Sequence, residues 1–130
     1  YKANENIITF AMIETKQAIE NLDEILSIPN LTGVYIGPAD MSSSYGLPPK
    51  FDVKEDPVFS NIQLIAEKAK KYGKIAGIHN GSTEYAKEMI NIGYKFVTIL
   101  SDFRVMSTHS QNIIDEMKNK SKVSKNSSTY

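Results

Sequence analysis

Cysteine is absent from this 130-residue chain, its formal net charge is zero, and it has no long apolar run. The missing cysteine excludes disulfides. Fifteen basic residues balance fifteen acidic ones, so no positive surface for nucleic acid is indicated. Neither a membrane-spanning segment nor a secretory leader pattern is visible. The composition therefore predicts a cytoplasmic protein that binds neither nucleic acid nor membrane.

The chain is long enough for one domain, and its 41% of hydrophobic residues can bury a modest core. It begins with Tyr1, and polar residues 1–6 resemble the end of a helix, so we expect a chain cut at its front. Residues 119–130 are too polar to pack. We therefore predict a folded part over residues 1–118 and a disordered tail over 119–130.

Short apolar runs alternate with segments of helical spacing four times along the chain. The predicted strands are residues 7–13, 32–36, 74–78 and 96–100, and the predicted helices run from about 15 to 28, 56 to 73, 82 to 93 and 102 to 118. Residues 37–55 form an unusually long connection. This order predicts a parallel sheet, either open or part of an eight-stranded barrel. Half a barrel is favoured, because a Gly-x-Gly-x-x-Gly turn and a P-loop lysine are both missing.

Two acids, Glu14 and Asp40, follow the first and second predicted strands. Each alone has an ordinary explanation, because acids suit helix starts and aspartate organises turns. The pair is more informative, since the ends of neighbouring parallel strands lie close together and barrel enzymes build their sites there. Two carboxylates and no cysteine favour Mg²⁺ or Mn²⁺ with open positions for a bidentate 2-oxo acid. Aldol or retro-aldol chemistry through a metal-stabilised enolate is the corresponding hypothesis.

Other residues near these strand ends are weaker candidates. Gly37 would let a ligand approach the backbone, and the amides of Ala39 and Asp40 would face an anion if a helical turn begins there, although a plain tight turn explains them equally well. His79 follows the third strand and is a candidate substrate contact, with a backbone-bonded loop histidine as the alternative. Ser42 and its neighbours are predicted to be turn-forming serines, since no nucleophile elbow surrounds them.

The segments Met12-Ile13-Glu14-Thr15, Asn21-Leu22-Asp23-Glu24-Ile25 and Gly33-Val34-Tyr35-Ile36-Gly37-Pro38-Ala39-Asp40-Met41-Ser42 resemble the HpcH/HpaI aldolase/citrate lyase family. The likeness extends from about residue 7 to residue 118 and is greatest to the metal-dependent pyruvate aldolases. It implies a (β/α)8 TIM barrel, of which this α/β chain would be the C-terminal half, with about four βα units.

The resemblance implies a class II aldehyde-lyase that cleaves 4-hydroxy-2-oxo acids to pyruvate and an aldehyde. Glu14 and Asp40 correspond to the metal ligands, and Gly37, Pro38, Ala39 and Asp40 to the segment around the pyruvate carboxylate, with Ser42 beside it. The family's catalytic histidine and substrate arginine belong to the first half of the barrel. The expected partners are the missing N-terminal half-barrel, the small 2-oxo acid and further copies in a homo-oligomer, and the chain alone should be inactive.

Met12 and Met41 depart from the family pattern, and His79 stands where some relatives carry an apolar residue, so the substrate is expected to differ. Two alternative enzymes are a citrate lyase β-like and a malyl-CoA lyase-like member acting on an acyl-CoA, although no basic CoA-binding patch is evident. Further alternatives are a non-catalytic half-barrel interaction module and an unrelated phosphate-binding barrel. The latter would need a glycine-rich turn after the third or fourth strand, whereas Gly81 stands alone.

Overall fold

The computed structural model describes residues 2–126, with side chains described over 2–118 apart from residue 4. The chain divides into two compact units, one reaching Ile99 and the other beginning at Leu100. The strands are β1 Phe10–Ile13, β2 Gly33–Ile36, β3 Ile75–Asn80 and β4 Phe96–Ile99. The helices are α1 Ala3–Asn6, α2 Lys16–Glu20, α3 Leu22–Ser27, α4 Pro38–Ser44, α5 Val58–Lys71, α6 Thr83–Ile92 and α7 Asp102–Asn126.

The four strands form one parallel sheet in the order β1-β2-β3-β4. Each strand therefore pairs with the next one along the chain, as neighbouring strands do in a closed barrel. An open doubly wound sheet reverses its strand order at a switch point, and the described strands contain no such reversal. The topology therefore agrees with the predicted half-barrel.

The two faces of the sheet differ in burial. Ile13, Ile36 and Ile78 occupy one register row and are fully buried in the core. On the opposite face, Met12 and Phe96 are 52% and 44% exposed. In a complete barrel the face that carries Met12 and Phe96 would point inward. In the isolated half-barrel this face is therefore open.

Helical packing follows the apolar spacing of the sequence. Helix α5 buries Val58, Ile62, Ile65, Ala66 and Ala69, and α6 buries Tyr85, Ala86 and Met89. The Ser82 hydroxyl caps α6 by accepting a hydrogen bond from the amide of Tyr85, as the capping pattern predicts. Gly73, after α5, has φ +66, a left-handed conformation that glycine adopts without strain.

Several local expectations differ from the structure. Strand β3 continues to Asn80, so His79, which was predicted to follow the third strand, lies within it. The single helix predicted over residues 15–28 is broken at Asn21, a residue whose side chain competes for backbone hydrogen bonds. The connection after β2 contains helix α4, because Pro38 suits a first helical position. Within this helix the Ser42 and Ser43 hydroxyls donate to the carbonyls of Pro38 and Ala39, four residues back. Strand β1 begins at Phe10 instead of residue 7.

The second unit consists chiefly of α7, which begins at Asp102 as predicted and continues to Asn126. The Ser101 hydroxyl accepts a hydrogen bond from the amide of Arg104 at this start. The helix therefore includes the first part of the segment predicted to be a tail, while residues 127–130 of that segment lie outside the described residues. Over the described residues, no helix has the length and apolarity needed to cross a membrane.

Candidate active site

Glu14 and Gly37 occupy equivalent positions at the carboxyl ends of two paired strands. Ile13 pairs with Ile36 in the parallel register, and each of the two residues comes directly after one of them. Asp40 lies three residues beyond Gly37, in the first turn of α4. The register and the short helix together bring both acids to one end of the sheet.

The environment of the two acids is electrostatically unfavourable for a second negative charge. Burial raises the pKa of Glu14 above its ordinary value, and the neighbouring charge of Asp40 raises it further. Asp40 itself is exposed. A cation between the two carboxylates would relieve both the repulsion and the cost of burying the Glu14 charge.

Gly37 is packed closely against the Glu14 carboxylate. A methyl group at the Cβ position of residue 37 would stand 2.4 Å from Glu14 Oε1 and 3.2 Å from its Cδ. The φ of Gly37 is −100, a value open to any residue, so the glycine is required by space and not by backbone conformation. The absent side chain leaves the room in which the Glu14 carboxylate lies.

Two backbone contacts fix the turn that carries Glu14. The Thr15 side chain caps α2 by accepting a hydrogen bond from the amide of Ala18 at 3.1 Å. The amide of Lys16, the residue after Thr15, donates to the Ser44 hydroxyl at the end of α4, also at 3.1 Å. The segment after β1 is thus tied directly to the helix that carries Asp40.

A cavity of about 270 Å³ opens beside these two acids. It is lined by residues from β1, β2, β3, the start of α4 and the loop before α5: Met12, Glu14, Tyr35, Gly37, Pro38, Ala39, Asp40, Phe51 and His79. The cavity therefore brings together every candidate site residue proposed from the sequence except Ser42.

Ser42 lies away from this cavity. Its side chain is buried, and its hydroxyl donates to the Pro38 carbonyl at 2.8 Å within α4. It lines a separate, smaller cavity together with Leu47, Lys50 and Val53. The structure thus gives Ser42 a hydrogen bond inside the helix instead of a position facing the two acids.

Three residues of this region were not among the sequence candidates. Tyr35 and Phe51 line the cavity, and Thr98 pairs with His79 in the register of β3 and β4. The alternation of side chains along β2 places Tyr35 on the same face as Gly37, so Tyr35 was recoverable from the strand pattern. Phe51 was not, because it belongs to a loop whose path no periodicity reveals.

The described residues contain no group of three or more His, Asp or Glu side chains placed to hold a metal ion. The fit to a divalent cation thus depends on Glu14 and Asp40 alone among the described side chains. Both supply hard oxygen ligands, Gly37 leaves space for one of them, and their proximity favours a cation. These residues fit a hard divalent cation, which would need further oxygen ligands besides the two carboxylates.

Residues 2–108 match the family model described as HpcH/HpaI aldolase/citrate lyase. The chain belongs to this family. The family resemblance carried by the motifs around Glu14 and Asp40 is thereby confirmed. Within the HpcH/HpaI family, the chain is 38% identical over 113 residues to a hydroxypyruvate/pyruvate aldolase of Rhizorhabdus wittichii, covering 87% of this chain and 45% of that protein. It is 32% identical over 106 residues to a 2-keto-3-deoxy-L-rhamnonate aldolase of Escherichia coli, covering 82% of this chain and 39% of that protein.

The fold is likewise that of HpcH/HpaI proteins. A crystal structure of an HpcH/HpaI aldolase from Desulfitobacterium hafniense superposes with a TM-score of 0.82 at 21% identity, over 88% of this chain and 44% of that one. The four βα units are therefore half of a TIM barrel, as predicted. The chain spans less than half the length of the curated relatives described above.

Proposed function

We propose that this chain supplies half of the active site of a divalent-metal-dependent aldolase that cleaves 4-hydroxy-2-oxo acids to pyruvate and an aldehyde. The observation that carries the proposal is the convergence of Glu14 and Asp40 on one cavity at the carboxyl ends of β1 and β2. Family membership and the aldolase names of the relatives support the reaction class.

In this proposal Glu14 and Asp40 hold Mg²⁺ or Mn²⁺. When bound, the cation would act as a Lewis acid that polarises the 2-oxo group of the substrate. The backbone of Gly37, Pro38, Ala39 and Asp40 would lie beside the substrate carboxylate, in the cavity that Tyr35, Phe51 and His79 also line.

The chain's own residues bind and orient the substrate in this scheme, and proton transfer is left to the other half of the barrel. Homo-oligomerisation and a cytoplasmic location, both expected from the sequence, stay predictions. Ser42, expected from the motif to lie beside the substrate-binding segment, contributes in this proposal by holding α4 through its hydrogen bond to the Pro38 carbonyl.

The test is Mn²⁺ binding, measured by electron paramagnetic resonance with and without oxalate, which offers the adjacent oxygens of a 2-oxo acid. The unaltered chain should bind Mn²⁺ more tightly when oxalate is present. Glu14→Gln and Asp40→Asn should each lower the affinity by about tenfold or more, because each removes one of two protein ligands. Glu20→Gln, which removes an exposed carboxylate on α2, is the matched control and should leave binding unchanged.

Equal Mn²⁺ binding by the unaltered chain and by both site variants would overturn the metal assignment. If binding depends on both acids, retro-aldol cleavage is then assayed in a chimeric barrel. This chimera joins the chain to the part of the Rhizorhabdus wittichii aldolase that the chain does not cover. Release of pyruvate that is lost in both site variants would support the reaction, and metal binding without any pyruvate release would contradict it.

A further inference from the structure

A hydrogen-bonded group of three side chains extends across the open face of the sheet beside the two acids. Tyr35 of β2 contacts the Thr98 hydroxyl of β4 through its phenol oxygen. Thr98 Oγ1 lies 3.0 Å from His79 Nδ1 on β3, and the Tyr35 hydroxyl lies 3.5 Å from the same nitrogen. Three neighbouring strands therefore contribute to one polar network.

Each of these hydroxyls can donate or accept, so the distances permit more than one direction of donation. In the arrangement that we use, the Tyr35 hydroxyl donates to Thr98 Oγ1. The Thr98 hydroxyl is then left to donate to His79 Nδ1. A neutral imidazole that accepts at Nδ1 carries its proton at Nε2. This arrangement gives His79, which lines the cavity beside the two acids, an N–H donor at Nε2.

The other side of the imidazole ring is held by the loop before α5. Phe51 lies edge-on to His79 with ring centroids 5.2 Å apart. The adjacent Asp52 accepts a hydrogen bond from the amide of Gly81, directly after β3, at 2.7 Å. A methyl group at Gly81 would stand 3.1 Å from Phe51 Cβ, so the glycine permits this close approach. The ring orientation is fixed from the strands on one side and from the loop on the other.

The position of His79 relative to the two acids decides which part of a substrate it meets. Neighbouring strands are about 4.8 Å apart, so β3 lies roughly 10 Å across the sheet from the strand that precedes Glu14. His79 lines the same cavity as Glu14, Gly37 and Asp40, so when those three residues hold the 2-oxo acid group, His79 can contact only the substrate carbons that extend toward β3. Those carbons become the aldehyde product in the proposed cleavage.

We propose that His79 is a specificity-determining residue whose Nε2–H donates a hydrogen bond to an oxygen substituent on the aldehyde part of the substrate. The enzyme then prefers hydroxylated aldehydes to alkyl aldehydes of equal size. This inference rests on the proposed aldolase function. Tyr35 and Thr98 are positioning residues, because they act on the substrate only through the His79 ring.

The first measurement compares glycolaldehyde and propionaldehyde, which differ by a hydroxyl in place of a methyl group, as acceptors for pyruvate in the chimeric barrel. The unaltered chimera should favour glycolaldehyde in kcat/KM. His79→Leu should lower kcat/KM for glycolaldehyde by about tenfold and leave that for propionaldehyde nearly unchanged, since one hydrogen bond is lost. His79→Gln, whose amide supplies an N–H near the same position, should restore part of the preference.

Equal losses for the two acceptors in both His79 variants would show a merely structural residue and overturn the proposal. Unchanged activity with both acceptors would overturn it as well. Mn²⁺ binding with oxalate should be unaffected in His79→Leu. Failure of the aldolase function itself would instead appear as metal binding that is insensitive to Glu14→Gln and Asp40→Asn.

The second measurement does not depend on activity. Long-range ¹H–¹⁵N correlation spectra of the chain at pH 8 should show His79 protonated at Nε2, and Thr98→Val should shift the ring toward the other tautomer. Added glycolaldehyde should move the Nε2 resonance more than propionaldehyde does. A ring protonated at Nδ1 in the unaltered chain, or equal shifts with the two aldehydes, would contradict the proposal.

Discussion

Gly37 has no side chain, and this leaves room for the Glu14 carboxylate in the candidate site. A Cβ atom at residue 37 would stand 2.4 Å from Glu14 Oε1. Gly37→Ala should therefore displace the Glu14 carboxylate and weaken Mn²⁺ binding by about tenfold, a magnitude usual for groups that orient a metal ligand. The free energy of unfolding should change little, because the φ of Gly37 suits alanine. Metal titration and urea unfolding of the same variant measure the two effects.

Gly73→Ala is the matched control for this glycine. Residue 73 has φ +66 and no atom within 4 Å of an added Cβ, so alanine would be strained without touching anything. Its free energy of unfolding should fall by about 1 kcal/mol while Mn²⁺ affinity stays the same. A loss of metal affinity in both glycine variants would contradict the local role assigned to Gly37.

The site residues predictable from the sequence are those at strand ends. Glu14, Gly37 and Asp40 directly follow, or nearly follow, buried strands, so topology alone brings them together. The sequence motif does not reveal that the Ser42 hydroxyl donates to the Pro38 carbonyl, and a role for Ser42 in binding substrate stays a prediction. Phe51 reaches the cavity through a loop that is held by the hydrogen bond from the Gly81 amide to Asp52. This is a tertiary contact, and no local sequence pattern predicts it.

At the scale of elements, β1 to β4 and α5 to α7 were predictable because their apolar spacing agrees with their start and stop residues. The predicted helix over residues 15–28 broke into α2 and α3, and α4 was missed within a segment rich in glycine, proline and serine. Both errors concern short helices, whose existence depends on packing more than on intrinsic propensity. The missed helix is the one that carries Asp40.

The N-terminal caps of α2 and α6 can be compared, because the cap of α2 lies beside the candidate site and the cap of α6 lies outside it. Thr15→Ala and Ser82→Ala each remove a side-chain acceptor from a helix start, so each should lower the free energy of unfolding by about 1 kcal/mol. Only Thr15→Ala should also weaken Mn²⁺ binding, because Thr15 follows Glu14 directly. Chemical denaturation and metal titration of both variants give the comparison, and equal metal affinities would contradict it.

At the scale of the whole molecule, the sheet has one face packed against helices and one face open. The open face exposes Met12 and Phe96 beside the polar network, whereas fully buried isoleucines fill the other. Among the described residues, β1 and β4 each leave one edge of the sheet without a partner strand, and one face carries exposed apolar groups, so the core is incomplete. This arrangement is expected of half a barrel, and it predicts that the chain will bind a complementary half.

Complementation can be tested by mixing the chain with the uncovered part of the Rhizorhabdus wittichii aldolase and measuring the mass of the complex by light scattering. A one-to-one complex should form, because the open face and both sheet edges are then covered. Phe96→Asp should weaken this complex by about tenfold or more, since it would bury a charge without a partner. Ile90→Asp changes a residue of α6 that is 55% exposed, so it should leave the complex intact. Equal complex formation by the two variants would show that the open face is not the contact surface, and the half-barrel would then have to complete its core through another part of the molecule.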